Sequence, residues 1–391
     1  MRFYTYIIII LIAALISPSA AAQESAESAE SAESAESAES VESAARPGLV
    51  KRIVNYFANT HKENNKKFNV SIIGGPHYSS ESSFSLGLGA EGLYRAAADS
   101  SLHFSTASLT SNFSVIGCVE LKLKNNLYFA ENRWRSAASL RLALLPRHIW
   151  GFGFDNGENS SNESKYTMNY VRLNANLLGR VANGLYIGPT ISYEFNMGRA
   201  FDSAEYDNIQ RTSRSYGLGL AVEYDTRDFA ANATRGCLIS ITQNNYTGFD
   251  TKPHYRTIFI ADWYKRLGPN TVIATDFYTM LNYGKVPWLM YAQMGGSNRM
   301  RGYYEGRYTD NNLISFQTEL RQKIYRRIGM TAWVGAGNIF GDNNKFCWCH
   351  TLPNWGVGFR WEFVKNINIR LDYGMGKRWI SGFNFGLEEA F

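Results

Sequence analysis

The chain has 391 residues, a formal net charge of +6 and a mean hydropathy of −0.28. Aromatic residues make up 14% of it, and 34 glycines stand against 9 prolines, a mixture that favours many aromatic-rich strands over helical layers. The negative hydropathy excludes a bundle of membrane helices. It does not exclude a membrane β-barrel, because the lumen-facing residues of such a barrel are polar.

The first 22 residues have the pattern of a secretory signal peptide (1–22). Arg2 precedes an apolar run at 7–16, and small residues at 19–22 supply a cleavage site before Gln23. A retained signal anchor is the alternative interpretation. No later segment contains the roughly 20 consecutive apolar residues that a membrane helix needs, so the sequence predicts no helical span.

Residues 23–45 form a low-complexity spacer of Ser-Ala-Glu repeats with seven glutamates and no basic residue. Charge repulsion and the lack of bulky apolar side chains predict a solvated, disordered segment, with partial helix as the alternative. Without Arg2 and these glutamates the chain keeps 39 basic and 27 acidic residues, a net charge of +12. This excess favours anionic lipid headgroups or a basic pore. No nucleic acid partner is expected for a secreted chain.

The segment 46–66 predicts a short amphipathic helix that begins after Pro47. Its apolar residues fall on one helical face: Leu49, Ile53, Val54 and Phe57. Such a helix would cap the periplasmic mouth of a barrel, enter its lumen or lie on the inner leaflet. A mobile helix that packs on nothing is the alternative.

From residue 67 onward, apolar and polar residues alternate with the period of two that is typical of strands. Sixteen strands are predicted, eleven before a long basic loop and five after it. They lie near 68–78, 84–94, 101–115, 118–130, 134–145, 165–178, 184–196, 214–225, 236–246, 254–265, 271–282, 312–324, 329–339, 354–363, 366–376 and 382–391. Tight turns alternate with long polar joints. The sequence therefore predicts an all-β fold, a transmembrane antiparallel β-barrel of about 16 strands over 67–391.

The last predicted strand carries aromatic and apolar residues on one face: Phe383, Phe385, Leu387 and Phe391. A final Phe391 in such a strand resembles the C-terminal signal by which outer-membrane barrels are recognised by the assembly machinery. The sequence therefore favours delivery to the bacterial outer membrane after signal-peptide cleavage.

The long loop at 295–308 is rich in glycine and arginine, and the strand after it alternates an apolar face with a charged one. An arginine cannot lose its charge, so Arg301 would need a carboxylate partner on entering a low-dielectric lumen. Glu319, on the charged face of the next strand, is the best partner. Gly302 permits a close backbone approach, and Tyr303 is expected to pack against the wall.

Five blocks resemble, in order, the BamA/TamA family of outer-membrane β-barrels. They are Glu223-Tyr224-Asp225-Thr226-Arg227-Asp228-Phe229 with Thr234-Arg235-Gly236, Met300-Arg301-Gly302-Tyr303, Thr318-Glu319-Leu320-Arg321, Val334-Gly335-Ala336-Gly337-Asn338, and Gly356-Val357-Gly358-Phe359-Arg360-Trp361 with Ile369-Arg370-Leu371-Asp372-Tyr373. A single block is weakly specific, whereas five in order over about 68–391 are highly specific.

The resemblance implies a long loop that folds back into the barrel, with Met300, Arg301, Gly302 and Tyr303 at its tip. The family usually supplies a second acid, at the place that Gly335 occupies here. Candidate substitutes on neighbouring inward faces are Asp372 and Glu362. The alternative is that Arg301 merely props the loop as a static plug.

The resemblance also implies that Asp225, Arg227 and Asp228 form a turn at the periplasmic end of two strands. Relatives carry folded periplasmic POTRA modules before the barrel. A spacer of about 20 low-complexity residues cannot contain such a module, because a module needs its own core.

The resemblance implies a protein that inserts or helps to insert other outer-membrane proteins, with an accessory or partner-dependent role because the POTRA modules are missing. Expected partners are outer-membrane lipid, lipopolysaccharide, outer-membrane assembly proteins and nascent barrel substrates. The alternative is a pore or a surface-exposed structural or transport barrel without insertase activity. No enzyme and no cofactor are expected, because the sequence has no Gly-x-Ser-x-Gly elbow and no ordered Ser, His and acid.

Four cysteines occur in a chain that is expected to reach an oxidising compartment: Cys118, Cys237, Cys347 and Cys349. A metal site is disfavoured, because no second pair follows at zinc-site spacing. A disulfide within 347–349, a disulfide from this segment to Cys118, and free thiols remain open.

Overall fold

The computed structural model describes residues 68–94, 105–364 and 367–391. The predicted signal peptide (1–22), spacer (23–45) and amphipathic segment (46–66) lie outside the described residues. Among the residues described, no helix has the length and apolar character needed to cross a membrane.

Sixteen strands form one antiparallel sheet, and two further strands of three residues each pair within a long loop. In chain order they are β1 (Phe68–Ser79), β2 (Ser83–Tyr94), β3 (Ser105–Ser114), β4 (Val119–Phe129), β5 (Trp134–Ile149), β6 (Ser164–Ala182), β7 (Leu185–Arg199), β8 (Thr212–Asp225), β9 (Gly236–Thr247), β10 (His254–Gly268), β11 (Thr271–Gly284), β12 (Ala292–Met294), β13 (Tyr308–Asp310), β14 (Asn312–Tyr325), β15 (Ile328–Phe340), β16 (Leu352–Val364), β17 (Ile367–Gly376) and β18 (Ser381–Leu387). Strands β12 and β13 are the extra pair. The predicted all-β antiparallel architecture is confirmed.

The strands expose apolar side chains outward and bury polar side chains inside, the reverse of a soluble protein. On β8, Leu218 and Leu220 are 67% and 62% exposed, whereas Ser213 and Ser215 of the same strand are buried. On β14 the outward Phe316 is also exposed. An apolar outer band around a polar interior is the pattern of a sheet that faces hydrocarbon.

Connections differ in length between the two ends of the sheet. At one end the chain turns within a few residues, as between β6 and β7, β10 and β11, and β14 and β15. At the other end lie the long connections 150–163, 200–211, 285–311 and 341–351. These contain one α-helix, α1 (Phe154–Glu158), and short 3₁₀ turns at Ser160–Asn162, Ala204–Tyr206, Trp288–Met290 and Trp348–His350, with another at Lys377–Trp379 between β17 and β18. Short turns are periplasmic and long loops extracellular in bacterial barrels.

The two edges of the sheet meet at the long-loop end. The Ser80 backbone N–H, between β1 and β2, donates to the Phe383 carbonyl at 3.3 Å. The Phe383 N–H donates to the Ser80 hydroxyl at 3.1 Å. The sheet therefore curves until its first hairpin contacts its last strand.

The last strand is shorter than predicted, and Phe391 does not belong to it. Strand β18 ends at Leu387, and Glu388 then adopts a positive φ of 64°, a left-handed conformation that stops extended pairing. The Phe391 ring instead packs against Tyr264 of β10, with ring centroids 6.4 Å apart. Arg321 of β14 places its guanidinium carbon 5.2 Å from the same ring. The prediction that Phe391 shares a strand face with Phe383, Phe385 and Leu387 is therefore wrong.

We expect Phe391→Ala to lower the thermal unfolding midpoint of the detergent-solubilised chain. The change removes an aromatic pair and a cation–π contact, each worth about 0.5–1.5 kcal/mol. Circular dichroism on heating measures the midpoint. Phe249→Ala is the control, because the Phe249 side chain is 82% exposed in a loop. Equal midpoints for the two variants would show that the contacts of the Phe391 ring do not contribute to the stability of the folded chain.

Candidate functional site

The loop 285–311 folds inward, so that its tip contacts the inner faces of β11, β14 and β17. The pairing of β12 with β13 forms the base of the loop, and residues 295–307 lie between these strands. Within the tip, Gly295, Gly296, Gly302 and Gly306 all have positive φ. This backbone region favours glycine, so the glycine-rich composition allows the sharp reversals of the tip.

Arg301 lies at the inward end of the tip and is fully buried. Its Nη2 donates to Glu319 Oε2 at 2.6 Å, and its Nη1 donates to Asp372 Oδ2 at 2.8 Å. The guanidinium carbon stands 3.6 Å from the ring centroid of Trp333, a cation–π contact. Trp333 lies directly opposite Glu319 in the pairing of β14 with β15. Two carboxylates and one aromatic face therefore enclose a charge that cannot be neutralised.

The Arg301 site is part of a larger charge network, which we call the arginine network. Its members are Arg301, Arg321, Arg360, Arg370, Glu319, Asp372 and Glu389. Arg321 Nε donates to Glu319 at 2.8 Å. Arg360 donates to Asp372 at 2.6 Å and to Glu389 at 2.8 Å. Four guanidiniums thus share three carboxylates, which leaves one positive charge for neutral acceptors.

Neutral oxygens take up the remaining hydrogen-bond donors of the arginine network. Arg370 donates to the Ser297 carbonyl at 2.5 Å and to Asn298 Oδ1 at 2.6 Å. Arg321 Nη2 donates to the Phe391 carbonyl at 3.0 Å. The loop tip and the segment after β18 therefore both supply acceptors to strand arginines.

Met300 and Tyr303 belong to an apolar cluster next to the arginine network. Both are buried, together with the cluster members Phe154, Ala292, Met294, Tyr308, Leu313, Ile339 and Leu352. The Tyr303 hydroxyl donates to the Pro353 carbonyl at 2.6 Å and accepts from the Lys377 N–H at 2.7 Å. Tyr303 thus fixes the tip to β16 and to the turn after β17.

The backbone of the tip touches the backbone of β17 at two glycines. A Cβ on Gly374 would lie 2.3 Å from the Arg301 carbonyl oxygen, and one on Gly302 would lie 2.6 Å from the Gly374 carbonyl carbon. Gly302 also has a φ of 111°. No side chain fits between the two segments, so both glycines are required for Arg301 to reach its carboxylates.

A second arginine of the tip makes an independent bidentate contact. Arg299 donates from Nε and Nη2 to Asp276 of β11 at 2.9 and 2.6 Å. Its guanidinium carbon lies 4.2 Å from the Tyr278 ring centroid. Later in the loop sequence, Glu305 accepts a hydrogen bond from Arg147 of β5 at 2.5 Å. The loop is therefore held by ion pairs on opposite sides of the interior.

The structure brings two of the three acids proposed from the sequence to Arg301. Glu319 and Asp372 both bind it, whereas Glu362 lies 2.9 Å from Lys323 Nζ, so its candidacy as a substitute acid is wrong. Glu362 has the inward orientation, but it lies two residues beyond Arg360 toward the short-turn end, about 7 Å farther along the strand. Position along the strand, and not only its face, decides the contact.

At Gly335 the structure leaves no space for the second acid that the family resemblance implies. A Cβ there would lie 2.5 Å from Asn354 Oδ1 and 2.7 Å from the Phe316 carbonyl oxygen. The carboxylate comes from β17 instead. Neither Trp333 nor Glu389 was predicted from the sequence. Glu389 reaches inward only because β18 ends early. Arg360 was not singled out either, although it has the same inward parity as Asp372 on the adjacent strand, a signal that would have indicated their pairing.

Asp225, Arg227 and Asp228 lie together where β8 leads into its turn. Arg227 donates from Nε and Nη2 to Asp225 at 3.0 and 2.9 Å. Asp228 accepts from the Thr234 N–H at 2.8 Å. Burial alone would raise the pKa of Asp228, but hydrogen bonds from Thr234 and neighbouring backbone N–H groups lower it below its ordinary value. These residues therefore form a hydrogen-bonded turn at the short-turn end.

Glu158 of α1 connects the loop to the far side of the long-loop end. It accepts from the Tyr308 hydroxyl at 2.8 Å and from Lys377 Nζ at 2.9 Å, and Arg378 lies 3.4 Å away. Burial opposes its ionisation, yet these hydrogen bonds and charges lower the pKa of Glu158 below its ordinary value. The carboxylate therefore stays charged and bridges three segments.

Cys347 and Cys349 form a disulfide with a Cα–Cα distance of 5.2 Å. Cys118 and Cys237 are free thiols. Of the three alternatives, the structure shows the bond within the 347–349 segment. Across residues 68–94, 105–364 and 367–391, no group of three or more His, Cys, Asp or Glu side chains is placed to hold a metal ion.

An apolar outside, a polar interior and a loop locked inside by buried arginine define an outer-membrane β-barrel with an inward-folded loop. The sequence profile described as the Omp85 superfamily domain matches residues 100–391. The chain belongs to the Omp85 superfamily, which confirms the resemblance inferred from the five motifs. No curated protein sequence matches the chain.

Solved structures of two kinds of protein share the fold. BamA from Haemophilus ducreyi lacking POTRA domains 1-3 is 15% identical, with a TM-score of 0.53 over 83% of this chain and 71% of that chain. CdiB from Acinetobacter baumannii is 12% identical, with a TM-score of 0.54 over 83% of this chain. CdiB from Escherichia coli is 10% identical, with a TM-score of 0.53 over 82% of this chain. The chain spans 60% and 63% of the two CdiB chains. At these identities the similarity shows the fold alone.

We predict that Glu319→Gln loosens the loop tip. Removing one partner of a buried ion pair costs about 3–5 kcal/mol, and Arg301 would keep only Asp372. Trypsin cleavage within 295–308, followed by mass spectrometry, is expected to accelerate at least about tenfold. Glu131→Gln is the control, because the Arg133–Glu131 pair is exposed at 66% and 71%. Cleavage at the control rate would mean that other contacts hold the tip.

We predict that Gly374→Ala destabilises the folded chain by about 1–3 kcal/mol, the usual cost of overpacking, because the added methyl meets the backbone of Arg301. The matched control is Gly75→Ala, where a Cβ meets nothing within 4 Å. Thermal unfolding in detergent compares the two variants. If Gly374→Ala unfolds at the same temperature as Gly75→Ala, the tip does not pack as tightly on β17 as described.

Proposed function

We propose that the chain is an outer-membrane subunit that inserts, or helps to insert, other outer-membrane proteins. Membership of the Omp85 superfamily supports this proposal. The observation that carries it is the fully buried Arg301, which holds the loop inside the lumen through Glu319 and Asp372. An interior occupied by an anchored loop suits a protein that handles other barrels better than one that conducts solutes.

The proposed role depends on a partner. The Ser-Ala-Glu repeats at 23–45 offer almost no apolar side chains with which to bind an unfolded substrate. A periplasmic or membrane partner would capture the nascent barrel. In this proposal, cleavage after residue 22 delivers the chain to the outer membrane, where outer-membrane lipid and lipopolysaccharide surround it.

Site-specific photocrosslinking in cells tests this role. The probe replaces Phe383, which is 43% exposed on β18 at the place where the sheet edges meet, and the control probe replaces Leu220 on β8. Crosslinks from Phe383 to an assembly protein or a nascent barrel, with few from Leu220, are expected. The absence of such partners, together with unchanged levels of outer-membrane proteins on deletion, would contradict the proposal.

A pore is the second candidate function, because a cavity of about 620 Å³ lined mainly by polar and charged residues remains beside the loop. Planar bilayer recordings separate the two. We expect low conductance for the native chain and large openings after deletion of 295–308, which removes both arginine anchors of the tip. High conductance of the native chain would favour the pore instead.

A further inference from the structure

Three cations occupy directly opposed positions on β4, β5 and β6. In the strand register Lys122 pairs with Arg141, and Arg141 pairs with Arg172. The Cβ atoms of opposed residues lie about 4.5–5.5 Å apart, and opposed like charges destabilise a sheet. We call these residues the cation row. Their arrangement costs stability unless negative charge is brought to it.

The protein supplies too little negative charge at the middle and at one end of the row. Glu120 accepts from Arg141 Nη2 at 2.7 Å. The buried Arg141 Nε has no hydrogen-bond partner among the described residues. Within the same described ranges, no carboxylate lies within 4.0 Å of Lys122. Lys122 and the free edge of Arg141 are therefore available to an external anion.

At the other end of the row, Arg172 also lacks a close carboxylate. It donates to the amide oxygen of Asn196 at 3.0 and 3.2 Å, and its Nε is 4.0 Å from Glu194. Glu194 is committed to Arg256, whose Nη1 lies 2.7 Å away. Glu305 also borders the row's cavity, but it is bonded to Arg147. Of the three cations, only Arg141 therefore has a carboxylate of its own within hydrogen-bond distance.

The cation row faces the 620 Å³ cavity, which also borders the loop tip at 295–300. This volume is within the range of small-molecule sites. The side chains of Arg141 and Arg172 remain 35% and 28% exposed, so a solute inside the cavity can reach them. Arg299 borders the cavity, but its guanidinium is bound to Asp276 of β11. Arg301 is bound to β14 and β17.

We propose that Lys122, Arg141 and Arg172 bind a phosphate group inside the lumen. Three cations with one close carboxylate among them suit a phosphate monoester, which carries about −1.5 to −2 at neutral pH, better than a single carboxylate. Guanidinium forks bind phosphate oxygens bidentately, and an ammonium group adds a compact charge. The Tyr170 ring lies 4.4 Å from the Arg172 guanidinium carbon and 5.5 Å from that of Arg141, which holds both forks in place. The phosphate is that of a soluble compound or of a lipid headgroup.

Isothermal titration with inorganic phosphate tests the site on the full chain in phosphatidylcholine vesicles at low salt. We expect Lys122→Gln and Arg172→Gln each to weaken binding about tenfold or more, the usual effect of losing one charged hydrogen bond. Arg214→Gln should bind as the native chain does, because Arg214 pairs with Asp250 at 3.4 Å and does not line the cavity. Lys122→Arg should retain binding, which separates lost charge from lost folding.

Vesicles that also contain phosphatidic acid distinguish the two sources of phosphate. Unchanged affinity for inorganic phosphate assigns the site to a soluble phosphate compound. Competition by phosphatidic acid that Lys122→Gln abolishes assigns it to a lipid headgroup. The proposal is overturned if the native chain binds no phosphate in either vesicle, or if all variants bind it equally.

Discussion

The buried guanidinium of Arg301 is the constraint on which the interior depends. It cannot release its proton, so the fold must bring carboxylates to it from β14 and β17, with the ring of Trp333 against its face. Leaving these partners would leave the buried arginine without a carboxylate, with a large desolvation penalty, whereas Glu319 and Asp372 would keep Arg321, Arg360 and Arg370. The tip is therefore held as one unit, and small displacements of it are unfavourable.

The arginine network joins two segments that enter the interior from opposite ends. The loop tip comes from the long-loop end, while Glu389 follows β18 at the short-turn end. Arg360 binds both Glu389 and Asp372, and Asp372 is also a ligand of Arg301. Loss of Glu389 would leave Arg360 to draw on the carboxylate that Arg301 uses. The position of the final residues is therefore coupled, through shared acids, to the anchoring of the loop.

Strand number, strand faces and the inward loop could be predicted from the sequence, because side-chain alternation and glycine-rich reversals are local properties. The pairing of Arg301 with Glu319 followed from the face and the nearness of the next strand. The prediction for Glu362 was wrong because the residue lies on the inward face but too far along its strand from Arg301. The position along a strand relative to the loop depends on the register of distant strands. The inward positions of Glu389 and Phe391 depend on the left-handed backbone conformation of Glu388. No local sequence pattern predicts that conformation.

The charges of the loop tip explain which side of the barrel interior it binds. Between 295 and 308 the chain has three arginines and one acid, Glu305. Arg299 and Arg301 bind the acidic wall formed by β11, β14 and β17, whereas Glu305 points the other way, to Arg147 of β5. The cation row on β4 to β6 would repel the tip arginines at close range. Attraction on one side and repulsion on the other thus set the tip's orientation, and the same asymmetry leaves the basic wall facing an open cavity.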